Sequence, residues 1–391
     1  MNLILSDGIY RDNLLPFTFT RPVGALRIGI LTIHEKWQHW LQLEPSFLTE
    51  AYLNKKFPLK GAKENLVVNA SFLPNEALVK AVKDLRVGQM LVAGEEIIAY
   101  VTETPDAGFE ASKYSALAFE GPLLTVKNTW DIFSKNGEAL EADFELLTKG
   151  RQSQPIPESN TVINPERIFL EEGAKVSCSI LNASTGPIYL GKNAEILEGC
   201  IIRGSLALGE GAVLKMGAKI YGPSTFGPFC KVGGEVNNSV LFAYSNKGHE
   251  GFLGNSVLGE WCNLGADTNT SNLKNNYAPV RLWDYRKEGF EHTGLQFCGL
   301  MMGDHSKCGI NTMFNTGTVI GVNANIFGSG YPRNFVPSYS WGGASGFTTY
   351  RTNKAFEAAK AMMARRQVDF DENEQAILEH VFELTQKWRK A

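Results

Sequence analysis

From position 190 the chain sets an apolar residue at every sixth place: Leu190, Ile196, Ile202, Leu208, Leu214, Ile220, Phe226 and Val232. Four residues beyond each stands Ala194, Cys200, Leu206, Ala212, Ala218, Ser224, Cys230 or Val236, and all but Leu206 are small or short. Glycine follows the apolar residue at Gly191, Gly209, Gly227 and Gly233, the first three eighteen apart. A period of six does not fit the 3.6-residue repeat of a helix. It fits a solenoid of short strands in which each hexad is one side of a triangular coil. The apolar residue points inward and the small one fills a corner. Coils stack at about 4.8 Å, so each buries its apolar residues only against its neighbours. The pattern resumes at Leu258 and Leu264, then at Met302, Cys308, Phe314 and Ile320. Stretches 182–187 and 267–297 interrupt it, and the polar run 245–249 reads as a further break.

Upstream the pattern changes. Residues 2–5 are a short apolar run that opens at Ser6-Asp7-Gly8, as a first strand opens into a loop. Residues 28–41 carry helical spacing, 66–68 read as a strand, 75–82 as a helix and 90–101 as a hairpin. Alternating strands and helices predict a Rossmann-like α/β domain over 1–150, with ligands at the strand C-terminal ends. An amphipathic helix over 129–149 closes it. Residues 151–165 are a polar linker with Pro155 and Pro157. A β-helix over 166–345 and a helical tail over 346–391 follow. The last helix is expected to start at an Asp371 cap.

Composition narrows the function. At 391 residues the chain has room for two or three domains. A net charge of −3 gives no basic footprint, so no nucleic-acid partner is expected. No run is long and apolar enough for a membrane span, and residues 1–7 do not read as a signal peptide. Six cysteines without a CxxC pair, three of them at hexad corners, read as reduced packing residues. A cytoplasmic protein is expected.

The hexads resemble the left-handed parallel β-helix of hexapeptide-repeat acyltransferases. Within them come Ser245-Asn246-Lys247-Gly248-His249, Phe252-Leu253-Gly254, Asn263-Leu264-Gly265-Ala266 and Thr270-Ser271-Asn272-Leu273-Lys274. This succession resembles the acetyltransferase domain of the bifunctional sugar-1-phosphate nucleotidylyltransferase and glucosamine-1-phosphate N-acetyltransferase family. Residues 18–37 are similar to a divergent bacterial branch of it. The resemblance implies acetyl transfer from acetyl-CoA to an amino-sugar phosphate, towards UDP-N-acetylglucosamine. It puts His249 at the general base, and imidazole suits proton transfer near neutral pH. It puts Asn263 where substrate is oriented or an oxyanion held. Lys247, Phe252, Asn272 and Lys274 fall on substrate or CoA contacts, with Phe252 in place of the family's usual Tyr. It also implies a homotrimer, with the cofactor between neighbouring coils and the insertion 267–297 as an arm onto a neighbour.

The N-terminal domain departs from that family. Asp7-Gly8-Ile9-Tyr10-Arg11 has one glycine where a phosphate-cradling Gly-rich loop is expected. Asn69-Ala70-Ser71 has no carboxylate where one would hold Mg2+. Nucleotidyl transfer is therefore expected to be slow or absent, with Mg2+ a minor candidate cofactor. Asp7, Arg11, Arg21, Arg27 and Lys36 are the candidates for nucleotide or sugar-phosphate contacts, with surface charges or core salt bridges the rival assignment for the basic ones. Two rivals stand beside the enzyme: a β-helical carbonic anhydrase, disfavoured by the spacing of His249, His292 and His305, and a sugar-nucleotide sensor or scaffold that binds without turnover.

Overall fold

The computed structural model describes residues 2–105 and 108–389. The chain divides into two units. The first comprises Met1–Leu14, Thr20–Leu26 and Leu31–Asn128. Its six strands are β1 (Asn2–Ser6), β2 (Pro45–Leu48), β3 (Asn65–Asn69), β4 (Gln89–Ala93), β5 (Glu96–Thr102) and β6 (Ser115–Ala118), in the order β2-β1-β3-β5-β4-β6. β1 lies parallel to β2 and β3, and β5 runs antiparallel to β3. Leu3, Ile4 and Leu5 are all buried, as a run without alternation requires of a strand covered on both faces. Helix α1 (Ile33–Leu41) begins five residues later than its spacing suggests. Thr32 and Glu35 form a capping box there, and that box sets the start. Helix α2 (Glu76–Lys83) starts at its Asn75 cap. The strands β2 and β6 are not legible in the pattern: β2 is four residues led by a proline, and β6 is exposed along its length.

The second unit comprises Leu15–Phe19, Arg27–Ile30 and Thr129–Ala391. Its core is a parallel β-helix, as the hexads predict. Three ladders of short parallel strands form its faces. Face A stacks Thr161–Ile163, Ile180–Asn182, Ile201–Arg203, Lys219–Tyr221, Glu235–Asn237 and Phe252–Gly254. Face B runs from Ile168–Leu170 to Phe335–Val336, and face C from Lys175–Val176 to Ser340–Gly343, closed by an antiparallel strand Gly346–Thr349. The hexad residues point inward: Ile196 stacks on Val176 and Leu214, and Leu214 on Val232. Cys200, Cys230 and Cys262 are buried free thiols within this core.

Two features of this unit were not foreseen. The helix expected over 129–149 is two, α3 (Asp131–Ser134) and α4 (Asn136–Thr148), and both group with the coil. The Asn136 amide explains the junction. Its oxygen accepts from Gly29 N–H at 2.8 Å, and its nitrogen donates to Pro223 O at 3.0 Å and Thr225 Oγ1 at 3.1 Å. Residues 27–30 and α4 are thereby tied to the outer side of face B. The insertion 267–297 holds a hairpin, Arg281–Asp284 with Gly289–His292, which lies against its own coil rather than projecting as an arm. Tyr285 is buried against Phe19, Phe335 and Trp388, and Val280 and Leu282 are buried beside Gly317. Three large apolar side chains without a partner surface would not stay in water. Helices α5 (Thr352–Ala364) and α6 (Glu372–Leu384) close the chain, α6 starting at its Asp371 cap as expected.

Candidate functional site

The corner from face C to face A holds the first candidate site. Here the spacing shortens: four residues separate the inward Val232 and Val236, five separate Val236 from Leu241, and then six lead to Lys247 and six more to Leu253. The polar run 245–249 is therefore no break. The repeat continues through it, with Lys247 in an inward slot directly above Val232. Lys247 is 2% exposed. Its ammonium turns back and donates to the carbonyl oxygen of His249. Burial, opposed by the carboxylates of Glu250 and Asp267, lowers its pKa to about 8. The coil below makes room with two glycines. A Cβ on Gly234 would lie 2.7 Å from His249 O and 3.0 Å from Lys247 Nζ. His249 itself is exposed.

Face A continues from that corner. Phe252 stands three residues beyond His249, half-buried on the outer side. A Cβ on Gly254 would lie 2.6 Å from both the Phe252 ring and the Asn272 amide nitrogen, so these two side chains meet over Gly254. The Asn272 amide donates to Asn255 Oδ1 at 2.7 Å. Asn263 is on face C, around the corner, between Asn246 and Lys307 in its column. Lys274 belongs to a different cavity, under the hairpin. The six coil candidates thus fall into three places: His249 with Phe252 and Asn272 along face A and Lys247 beneath, Asn263 on face C, and Lys274 apart.

The first unit has its own cavity, about 620 Å3, at the C-terminal ends of β1 and β3. Ligands of open α/β sheets sit at this edge. Gly8 has a φ of 61°, and a Cβ there would meet the Asn69 side chain at 2.6 Å. Only glycine lets the loop pass. Tyr10 and Glu96 line the cavity. Glu96 accepts from Lys127 Nζ at 2.6 and 2.7 Å and from the Tyr10 hydroxyl at 2.5 Å. Burial alone would raise the Glu96 pKa; these donors outweigh it and hold the carboxyl below its ordinary value. Sequence reasoning missed this trio because its members lie 86 and 31 residues apart.

The phosphate-contact candidates lie elsewhere. Asp7 is buried, accepts from Val23 N–H at 2.7 Å and Thr49 Oγ1 at 2.5 Å, and pairs with Arg11 Nε at 3.2 Å. Burial raises its pKa in spite of these partners. Arg11 also donates to the Tyr52 hydroxyl at 2.9 Å. Arg21 and Lys36 are buried, and Arg27, in the coil unit, donates to Ile30 O. Among the described residues, none of the five lines the cavity. Mg2+ does not fit the donors present. The Asn69 oxygen is occupied by Ser71 N–H at 3.0 Å, and the Glu96 oxygens by Lys127 and Tyr10. No cluster of three metal-ligating side chains exists among the described residues.

Residues 3–152 match the family model described as sugar nucleotidyl transferase. The chain is 33% identical over 92 residues to the bifunctional protein GlmU of Methanocaldococcus jannaschii, covering 24% of this chain and 22% of that protein. It is 24% identical over 235 residues to the bifunctional protein GlmU of Synechococcus elongatus, covering 54% and 48%. An acetyltransferase of Escherichia coli, YaiX, is 28% identical over 159 residues, covering 38% and 64%. The chain thus spans about half or less of the length of the GlmU proteins it matches. The chain is thus similar, in its first 152 residues, to sugar nucleotidyl transferases and, over parts of its length, to bifunctional GlmU proteins and to YaiX.

Proposed function

We propose that the coil unit transfers an acyl group from an acyl-CoA-type donor, acetyl-CoA in the first instance, to the amine of an amino-sugar phosphate. The observation that carries the reading is His249 itself: an exposed imidazole at a corner whose backbone is fixed from within by a buried ammonium. The amine lone pair attacks the thioester carbonyl, a C–N bond forms, His249 takes the amine proton, and the C–S bond breaks to release the CoA thiolate. Asn263, half-buried on the next coil of face C, supplies an amide for orienting substrate or holding the oxyanion. Phe252 offers a flat face and no hydroxyl. Free-thiol release from acetyl-CoA with glucosamine-1-phosphate as acceptor tests the reading. Turnover is expected; its absence with every amino-sugar phosphate tried would refute it.

The first unit, in this reading, binds a nucleotide or sugar phosphate and transfers nucleotidyl groups slowly or not at all. Asn69 replaces the expected carboxylate, and Glu96 is committed to Lys127 and Tyr10. The full-length protein given UTP, a sugar-1-phosphate and Mg2+ should form UDP-sugar well below the about 1–10³ s⁻¹ of ordinary enzymes. A rate inside that range counts against the assignment.

A trimer follows from the same reading. The outer side of face A exposes Ile163, Ile180 and Ile201 at 43, 40 and 53%, in adjacent strands. Ile180 and Ile201 are register partners there, and Ile163 lies one strand on, opposite Asn182; exposed apolar side chains grouped in this way mark an interaction surface. Light scattering should return three times the 43.1 kDa chain mass. The Ile201→Glu variant should return one chain mass, and a monomeric wild type at micromolar concentration would contradict the assembly.

A further inference from the structure

We infer a second phosphate-recognising site in the coil unit, beneath the insertion hairpin, with a nucleoside diphosphate as the ligand class. It stands independently of the acyl-transfer reading. The cavity is about 620 Å3, within the range of small-molecule sites. Three cations border it: Lys274, Arg281 and Arg333. Among the described residues, no carboxylate lines it. Asp284 is turned to the hairpin's own N–H groups, and Glu291 is paired with Lys287 at 3.0 Å. Lys274 Nζ donates to Pro279 O at 3.1 Å, and no ion pair of Lys274 is found among the described residues. Three positive charges thus border one cavity with no carboxylate among its described lining, in a chain whose net charge is −3. Like charges held together in a concave site cost free energy unless an anion joins them.

The remaining lining says what kind of anion. Trp283 is stacked on Phe335 at 4.1 Å and 8°, and Phe290 meets Trp283 edge-on at 5.6 Å. Phe290 is 40% exposed, so the aromatic wall stays open to a flat partner. The floor is polar and rigid. Asn334 donates to Thr316 O at 2.8 Å, and the Thr316 hydroxyl meets Ser271 Oγ at 2.6 Å. Guanidinium forks suit phosphate oxygens, and an aromatic wall suits a base. A diphosphate of charge near −3 would balance the three cations, and its nucleoside would lie on the ring wall.

The test uses full-length protein with uridine diphosphate, pyrophosphate and uridine as probes. Calorimetry gives affinity, and hydrogen–deuterium exchange locates the site. Uridine diphosphate should slow exchange in residues 281–292 and 331–336, uridine should not, and pyrophosphate should bind more weakly. The double variant Arg281→Ala/Arg333→Ala removes two exposed side chains and should keep its melting temperature. It should lose about 10- to 100-fold in affinity at this site, the worth of one or two charge-assisted contacts. His249→Ala should leave this protection unchanged, whatever becomes of acyl transfer. Protection confined to the first unit, or equal in wild type and double variant, overturns the assignment. Pyrophosphate binding as tightly as uridine diphosphate overturns the nucleoside half of it.

Discussion

Replacing His249 by alanine should lower acyl transfer by about 10²–10⁴-fold, the usual contribution of a general base. The fold should be nearly indifferent. His249 is exposed, and the bond that fixes the corner goes to its backbone carbonyl, which alanine keeps. The melting transition and oligomer mass are therefore expected to match wild type. Asn263→Ala should reduce turnover less. The double variant should fall short of the product of the two losses if both side chains serve one transition state. Wild-type turnover in His249→Ala would remove it as the base. A lost melting transition would show the residue to be structural.

Replacing Lys247 by methionine should make the protein more stable and less active. Lys247 fills an inward slot between apolar layers, with one hydrogen-bond acceptor, His249 O, for three donor hydrogens. Exchanging a buried charge for an apolar side chain of similar length removes a desolvation cost of roughly a few kcal/mol per ion. The corner would meanwhile lose its internal tie, and His249 would be held less closely. The pH dependence provides an independent check. The folded-state pKa of Lys247 is lowered from 10.5 to about 8. Between these values the unfolded chain binds more protons, so the Lys247 contribution to stability rises with pH across that window. Below it the full cost of the buried ammonium is present. The variant should be more stable than wild type at neutral pH, and the gap should close as pH rises towards 10.5. A destabilised Lys247→Met, or a gap that ignores pH, would show that the ammonium is not carried at a cost.

That lysine marks where the sequence stops being legible. The β-helix is readable because Leu190 to Val232 repeat at six without exception. Lys247 keeps the same register but presents a charge to the interior, so hydropathy alone takes it for a break. The shortened intervals before it, through Val236 and Leu241, hide the phase further. The first unit was legible in β1 and β3, whose apolar runs are buried on both sides, and not in β6, which is exposed throughout. Its boundary was hidden because residues 15–19 and 27–30 group with the coil, and side-chain ties such as Asn136 to Gly29 leave no periodic trace. His249, Phe252 and Asn272 lie in one short stretch and could be read together. Arg281 and Arg333 come to one cavity only because the hairpin folds back on the coil.

Acyl transfer at the face C to face A corner is tested by measuring both products of a single reaction. Full-length protein is mixed with acetyl-CoA and glucosamine-1-phosphate, and free thiol and acetylated sugar are quantified together for wild type and His249→Ala. Wild type should give thiol and N-acetyl product in equal amounts, and the variant should lose both by about 10²–10⁴-fold with its melting temperature kept. Thiol release without acetylated sugar, or equal product from both proteins, would contradict it.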